Sequence, residues 1–111
     1  MEIKKAEQHD IVVLELHGRL DTATATALEH EFTQLVAGSR TKIVVDFAEV
    51  VFMSSSGLRT LLLAGRQIKN IGGKIVLCAL QEQVKNIFEV AGFSMLFEAF
   101  ATKAQAIEAL R

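Results

Sequence analysis

The residues best suited to chemistry lie in one stretch, Asp46-Phe47-Ala48-Glu49-Val50-Val51-Phe52-Met53-Ser54-Ser55-Ser56-Gly57-Leu58. A dense apolar run leads into it, three serines follow, and a helical pattern begins at its end. Backbone N–H groups at a helix start lack intrahelical partners and carry a partial positive charge. One serine suits that place as a cap, because its hydroxyl accepts a hydrogen bond from the first turn. Three serines exceed what one cap requires. A phosphoryl group on one of them would add roughly -1.5 to -2 charges, and a helix start tolerates such an anion. The scaffold would survive the modification while the surface around it changed in charge and shape.

A nucleophilic serine is the rival chemistry, with Asp21 and Asp46, both at strand ends, as acidic partners. That reading lacks its parts. No histidine pairs with the serines, and neither a Gly-x-Ser-x-Gly elbow nor a Gly-Lys-Ser/Thr phosphate loop occurs. The sequence points away from an enzyme, with no catalytic residue assigned. His9, His17 and His30 have no metal-ligand spacing, and the single cysteine, Cys78, sits in a run that reads as buried. Neither a metal nor a cofactor is expected. Met53 and Met95 read as core fillers, and Phe88, Phe93, Phe97 and Phe100 as packing for the last two helices.

The chain has 111 residues, half of them apolar, a size and composition that suit one domain spanning residues 1–111. Charged residues make up 23% with a net charge of -1, so no basic field exists to hold nucleic acid. The lysines near the start are not followed by an apolar run, which argues against a signal peptide. No stretch approaches the roughly 20 apolar residues that span a bilayer. One cysteine forms no internal disulfide, and a cytoplasmic location is expected.

The elements that must position the serines follow from periodicity. Ile3–Glu7 and Ile11–His17 read as an opening hairpin, the second strand ending at Gly18 and Asp21. Ala25, Leu28, Phe32, Leu35 and Val36 recur at helical spacing, with Asp21 or Thr22 as cap and Gly38 as stop. Lys42–Asp46 reads as a short buried strand, with Asp46 ending it or capping a turn. The second helix begins near Ser55 or Ser56 and carries Leu58, Leu61, Leu62, Gly65 and Ile68 on one side, until Asn70-Ile71-Gly72-Gly73 turns the chain. Lys74–Ala79 is another buried strand. A third helix places Val84, Ile87, Phe88 and Ala91 on one face before Gly92, Met95–Phe97 reads as an edge strand, and Thr102 caps a last helix running to Leu110. The order β-β-α-β-α-β-α-β-α predicts an α/β fold whose mixed sheet is mostly parallel, with about four helices. The helices are expected on one side of the sheet.

The segment Phe52-Met53-Ser54-Ser55-Ser56-Gly57-Leu58 resembles the signature of the STAS family, an aromatic/apolar pair followed by Asp-Ser-Ser-Gly-Leu. Gly18-Arg19-Leu20-Asp21 resembles that family's turn before the first helix. Ile71-Gly72-Gly73-Lys74-Ile75-Val76-Leu77 resembles its Gly-Gly turn into a strand, and Val90-Ala91-Gly92-Phe93 the end of its third helix. The resemblance implies an anti-sigma factor antagonist that binds an anti-sigma factor, itself a serine kinase, and so releases a sigma factor. It implies Ser55 as the phosphorylated residue and Asp21 as part of the partner surface. One position departs from the pattern: Ser54 stands where the family has aspartate, so the loop loses a negative charge.

At 100° per residue, Arg59, Leu63 and Arg66 fall on one stripe roughly opposite the core side of the second helix. A leucine between two arginines on an outward face fits a partner helix with acidic groups at its rim. The expected partner surface therefore comprises Asp21, Ser54, Ser55, Ser56, Gly57, Arg59, Leu63 and Arg66. Two other roles of the family stay open, a scaffold subunit in stress signalling and a cytoplasmic subunit of a membrane lipid transporter. Weak nucleotide binding, homodimer formation and the identity of the sigma pathway also stay open.

Overall fold

The computed structural model describes residues 2–90, 92 and 97–111. Its elements follow the expected order: β1 (Glu2–Gln8), β2 (Ile11–Leu20), α1 (Thr22–Ala37), β3 (Lys42–Met53), α2 (Ser55–Asn70), β4 (Lys74–Cys78), α3 (Glu82–Val90), β5 (Glu98–Phe100) and α4 (Lys103–Leu110). The strands form one sheet in the order β1-β2-β3-β4-β5. β1 pairs antiparallel with β2 in a hairpin, and every later neighbour is parallel. His9 takes a left-handed conformation in the hairpin turn, at φ 60°.

α1 buries Ala25, Leu28, Phe32 and Leu35 of the face expected from their spacing, with Val36 half-buried. α2 buries Leu58, Leu61, Ala64 and Ile68, while Leu62 is only half-buried, so the core stripe runs through Ala64 instead. α3 contributes Val84 and Phe88, with Ile87 half-buried. Phe88 meets Phe47 and Phe97 edge to face, at centroid distances of 6.3 and 6.2 Å. These side chains pack with Leu14, Leu16, Val45 and Leu77 into the larger core, on one face of the sheet.

The helices do not all lie on that side. Ala106, Ile107 and Leu110 of α4 cover Ile11, Val13, Val44, Val76 and Cys78, a second core separate from the first. The cause lies in β2, where Ile11, Val12, Val13 and Leu14 are all buried. Successive strand residues point to opposite faces, so such a run needs cover on both. α4 supplies it, begun by a capping box between Thr102 and Gln105 and tied to β2 by Lys103 Nζ donating to Glu15 at 2.9 Å.

Three further expectations are corrected. β3 continues past Asp46 to Met53, and Asp46 lies inside the strand, where its carboxylate accepts the Ala48 N–H at 2.9 Å. β4 ends at Cys78, since Ala79 turns to φ 59°. The last strand is Glu98–Phe100, with Phe97 in a bend before it. Met95 and Leu96 of the expected strand lie outside the described residues, as do Ala91 and Phe93.

Candidate functional site

β2 and β3 run well beyond β4 and deliver two helix starts side by side. Leu20 ends β2 and Asp21 caps α1. Met53 ends β3 and Ser54 caps α2. The two chains are tied where they leave the sheet, because the Ser54 N–H donates to the Leu20 carbonyl at 2.8 Å. Gly57 then passes close over the same residue. A Cβ there would stand 2.6 Å from Leu20 Cγ and 2.9 Å from the Leu20 carbonyl oxygen, so this crossing needs glycine.

Asp21 is half-buried and forms a capping box, its carboxylate accepting the Thr24 N–H at 3.1 Å while the Asp21 N–H donates to Thr24 Oγ1 at 2.9 Å. The bond from the Thr24 backbone holds its carboxyl below the usual aspartate range. Two of the three serines are also committed. Ser54 Oγ accepts the Gly57 N–H at 3.2 Å, so hydroxyl chemistry supplies the cap in place of a carboxylate. Ser56 Oγ lies 3.0 Å from Thr22 Oγ1, a bridge between the two helix starts. Ser55 is exposed, and its hydroxyl makes no hydrogen bond among the described residues.

The first turn of α2 carries no acidic side chain, so an anion at Ser55 would meet amide dipoles there rather than a like charge. Arg59 lies one turn further on, at the i+4 spacing that brings side chains together. Arg59, Leu63 and Arg66 are all exposed, Leu63 to 47%, which sets the stripe outside the core. The sequence reading missed Thr22 as the partner of Ser56. It also missed Arg19, whose guanidinium stacks 4.3 Å above the Phe52 ring beside this loop. Cys78 and Asp46 lie elsewhere, on the face covered by α4. Burial, with Asp46 nearby, pushes the Cys78 thiol up to about 12. No group of three or more metal-ligating side chains occurs among the described residues.

The model of the STAS domain matches residues 2–106. The chain belongs to the STAS domain family. Its relatives within that family include BtrV of Bordetella bronchiseptica, 32% identical over 96 residues that cover 86% of this chain and 83% of that protein. RsfB of Mycobacterium tuberculosis, an anti-sigma-F factor antagonist, is 28% identical over 106 residues, covering 96% of this chain and 86% of its own. Among solved structures, the unphosphorylated anti-sigma factor antagonist SpoIIAA superposes with a TM-score of 0.86 at 23% identity, over 99% of this chain and 96% of that one. The phosphorylated form of SpoIIAA, a Bacillus cell fate determinant, superposes with a TM-score of 0.80 at 22% identity, over 99% and 100%. The SpoIIAA likeness is one of fold. No helix among the described residues is long and apolar enough to cross a membrane.

Proposed function

We propose that this STAS domain is a cytoplasmic anti-sigma factor antagonist: unmodified, it binds an anti-sigma factor that is a serine kinase, and phosphorylation of Ser55 ends the binding. The observation that carries the proposal is the difference among the three serines. Ser54 is occupied as a cap and Ser56 by Thr22, while Ser55 offers an exposed hydroxyl at the mouth of a helix. Relatives named as anti-sigma factor antagonists supply the partner class.

The docking surface runs from Asp21 across Ser54, Ser55, Ser56 and Gly57 and along Arg59, Leu63 and Arg66. Leu63 offers an apolar anchor, and the two arginines together with the positive end of α2 favour an acidic partner face. The kinase transfers the terminal phosphoryl group of ATP to Ser55 Oγ. The new O–P bond replaces the bond to the departing ADP, and the serine proton passes to a base on the kinase. A dianion then sits where the partner had met neutral hydroxyls and amide dipoles. Each tenfold loss of affinity requires only about 1.4 kcal/mol, and a desolvated like-charge contact costs several.

The test is affinity capture from cells with wild type, Ser55→Ala and Ser55→Asp as baits. Recovery of a small ATPase-type kinase with the first two and not the third supports the proposal. Equal recovery with all three contradicts the switch, and capture of a permease in place of a kinase contradicts the partner.

A further inference from the structure

β3 reaches the Ser54–Gly57 loop by an irregular path. While β2 advances from Glu15 to Leu20, β3 advances from Asp46 to Met53, with register shifts on either side of the Glu49–Val50 stretch. Such bulges leave backbone groups out of the ladder and re-aim the strand. On its other side β3 pairs with β4 only as far as Asp46, so the irregular half is an open edge among the described residues. Open edges and bulges both need polar partners.

Those partners come from the start of α3. Gln81 Nε2 donates to the Ala48 carbonyl at 2.8 Å, and Gln83 Nε2 donates to the Val51 carbonyl at 3.4 Å. Gln83 Nε2 also donates to Gln81 Oε1 at 3.0 Å, which joins the two amides into one chain. The Gln81 carbonyl accepts the Val84 and Lys85 N–H groups, so the first turn of α3 fixes where this side chain stands. From within the strand, Asp46, only 9% exposed, takes the Ala48 N–H. Each bulge thus has its carbonyl held by a glutamine, although Val51 itself is half exposed.

We propose that Gln81 and Gln83 are positioning residues for the Ser54–Gly57 loop: their amides complete the open edge of β3 and thereby fix how the strand arrives at the Ser54 N–H bond to Leu20. The effect on a partner rests on the function proposed above, whereas the effect on the strand does not. Methionine at both positions keeps the length of the side chains and removes the donors. Lysine at residue 81 keeps a donor.

The experiment is residue-resolved hydrogen exchange on the folded protein, together with partner affinity. In the double variant Gln81→Met/Gln83→Met, the Ser54 and Gly57 amides should exchange about tenfold faster, as expected for the loss of two neutral hydrogen bonds. The amides of Ile43 to Val45 should keep their rates. Gln81→Lys in the wild-type background keeps a donor for the Ala48 carbonyl but gives up the acceptor for Gln83. It should exchange more slowly than the double variant, and partner affinity should fall in step with exchange at Ser54. Unchanged exchange at Ser54 and Gly57 in the double variant overturns the proposal. So does equal acceleration along all of β3, which would mean general destabilisation. If exchange quickens locally while Ser55→Asp leaves partner capture intact, the positioning of the strand stands and the phospho-switch fails.

Discussion

Replacing Gly57 with alanine isolates the close crossing on which the candidate site is built. Two effects oppose one another. Alanine has the better helix propensity, worth at most about 1 kcal/mol in a helix interior and less in a first turn. Against it, the new Cβ would stand 2.6 Å from Leu20 Cγ and 2.9 Å from the Leu20 carbonyl oxygen. A side chain can swing aside, but that carbonyl is fixed by the bond it accepts from the Ser54 N–H. Helix α2 must therefore lift, and lifting it strains the Gly57 N–H bond to Ser54 Oγ. Overpacking of this kind costs about 1–3 kcal/mol, and loss of a cap adds about 1 kcal/mol. The clash outweighs the propensity gain, so a net loss of about 2 kcal/mol is expected. In a domain of this size each kcal/mol lowers Tm by about 4–8 °C. Urea titration and thermal melting read both quantities. Gly38→Ala is the control, because its Cβ would come no closer than 3.5 Å to a neighbouring atom, and a change within about 0.5 kcal/mol is expected there. A Gly57→Ala variant as stable as wild type would refute the close-packing argument.

Three other outcomes follow from the same structure. Leu63→Asp should shift stability by no more than about 0.5 kcal/mol, as for a surface change, while weakening partner binding at least about tenfold; a large drop in Tm would show Leu63 to be core. Cys78 should resist thiol reagents at pH 8 in the native protein and react only as fast as α4 opens or the chain unfolds, so rapid stoichiometric labelling would contradict its burial. The depressed carboxyl of Asp21 contributes stability above the ordinary aspartate pKa of about 3.9 and loses it as pH falls through the lower, folded value. Chemical denaturation between pH 7 and 2 should therefore show a smaller acid-side loss for Asp21→Asn than for wild type, and identical pH profiles would argue against a depressed Asp21 carboxyl.

The sequence was most informative where periodicity and capping residues coincide. Asp21 or Thr22 with Gly38 marked α1, Ser55 or Ser56 with Asn70 to Gly73 marked α2, and Thr102 marked α4, while the cap of α2 proved to be Ser54. β3 was cut short because its alternation breaks at Ala48 and Glu49. The bulges place the Ala48 and Val51 carbonyls against the side-chain amides of Gln81 and Gln83, which lie more than thirty residues away, and no local pattern encodes such partners. The expectation of all helices on one side conflicts with a signal in the sequence itself. An unbroken buried run from Ile11 to Leu14 already demanded helices on both faces. The serine loop was legible as a helix start. What the sequence could not show is how its three hydroxyls divide the work, because Thr22 reaches Ser56 only after the sheet has brought two distant helix starts together.

The decisive measurement is a calorimetric titration of a purified anti-sigma partner with this protein in two forms, unmodified and carrying phosphate on residue 55 alone, as verified by mass spectrometry. Saturable binding is expected for the first and affinity at least about tenfold weaker for the second, a difference of about 1.4 kcal/mol or more, with both forms melting at nearly the same temperature. Equal affinities, or a phosphorylated form that has lost its fold, would rule out the switch at Ser55.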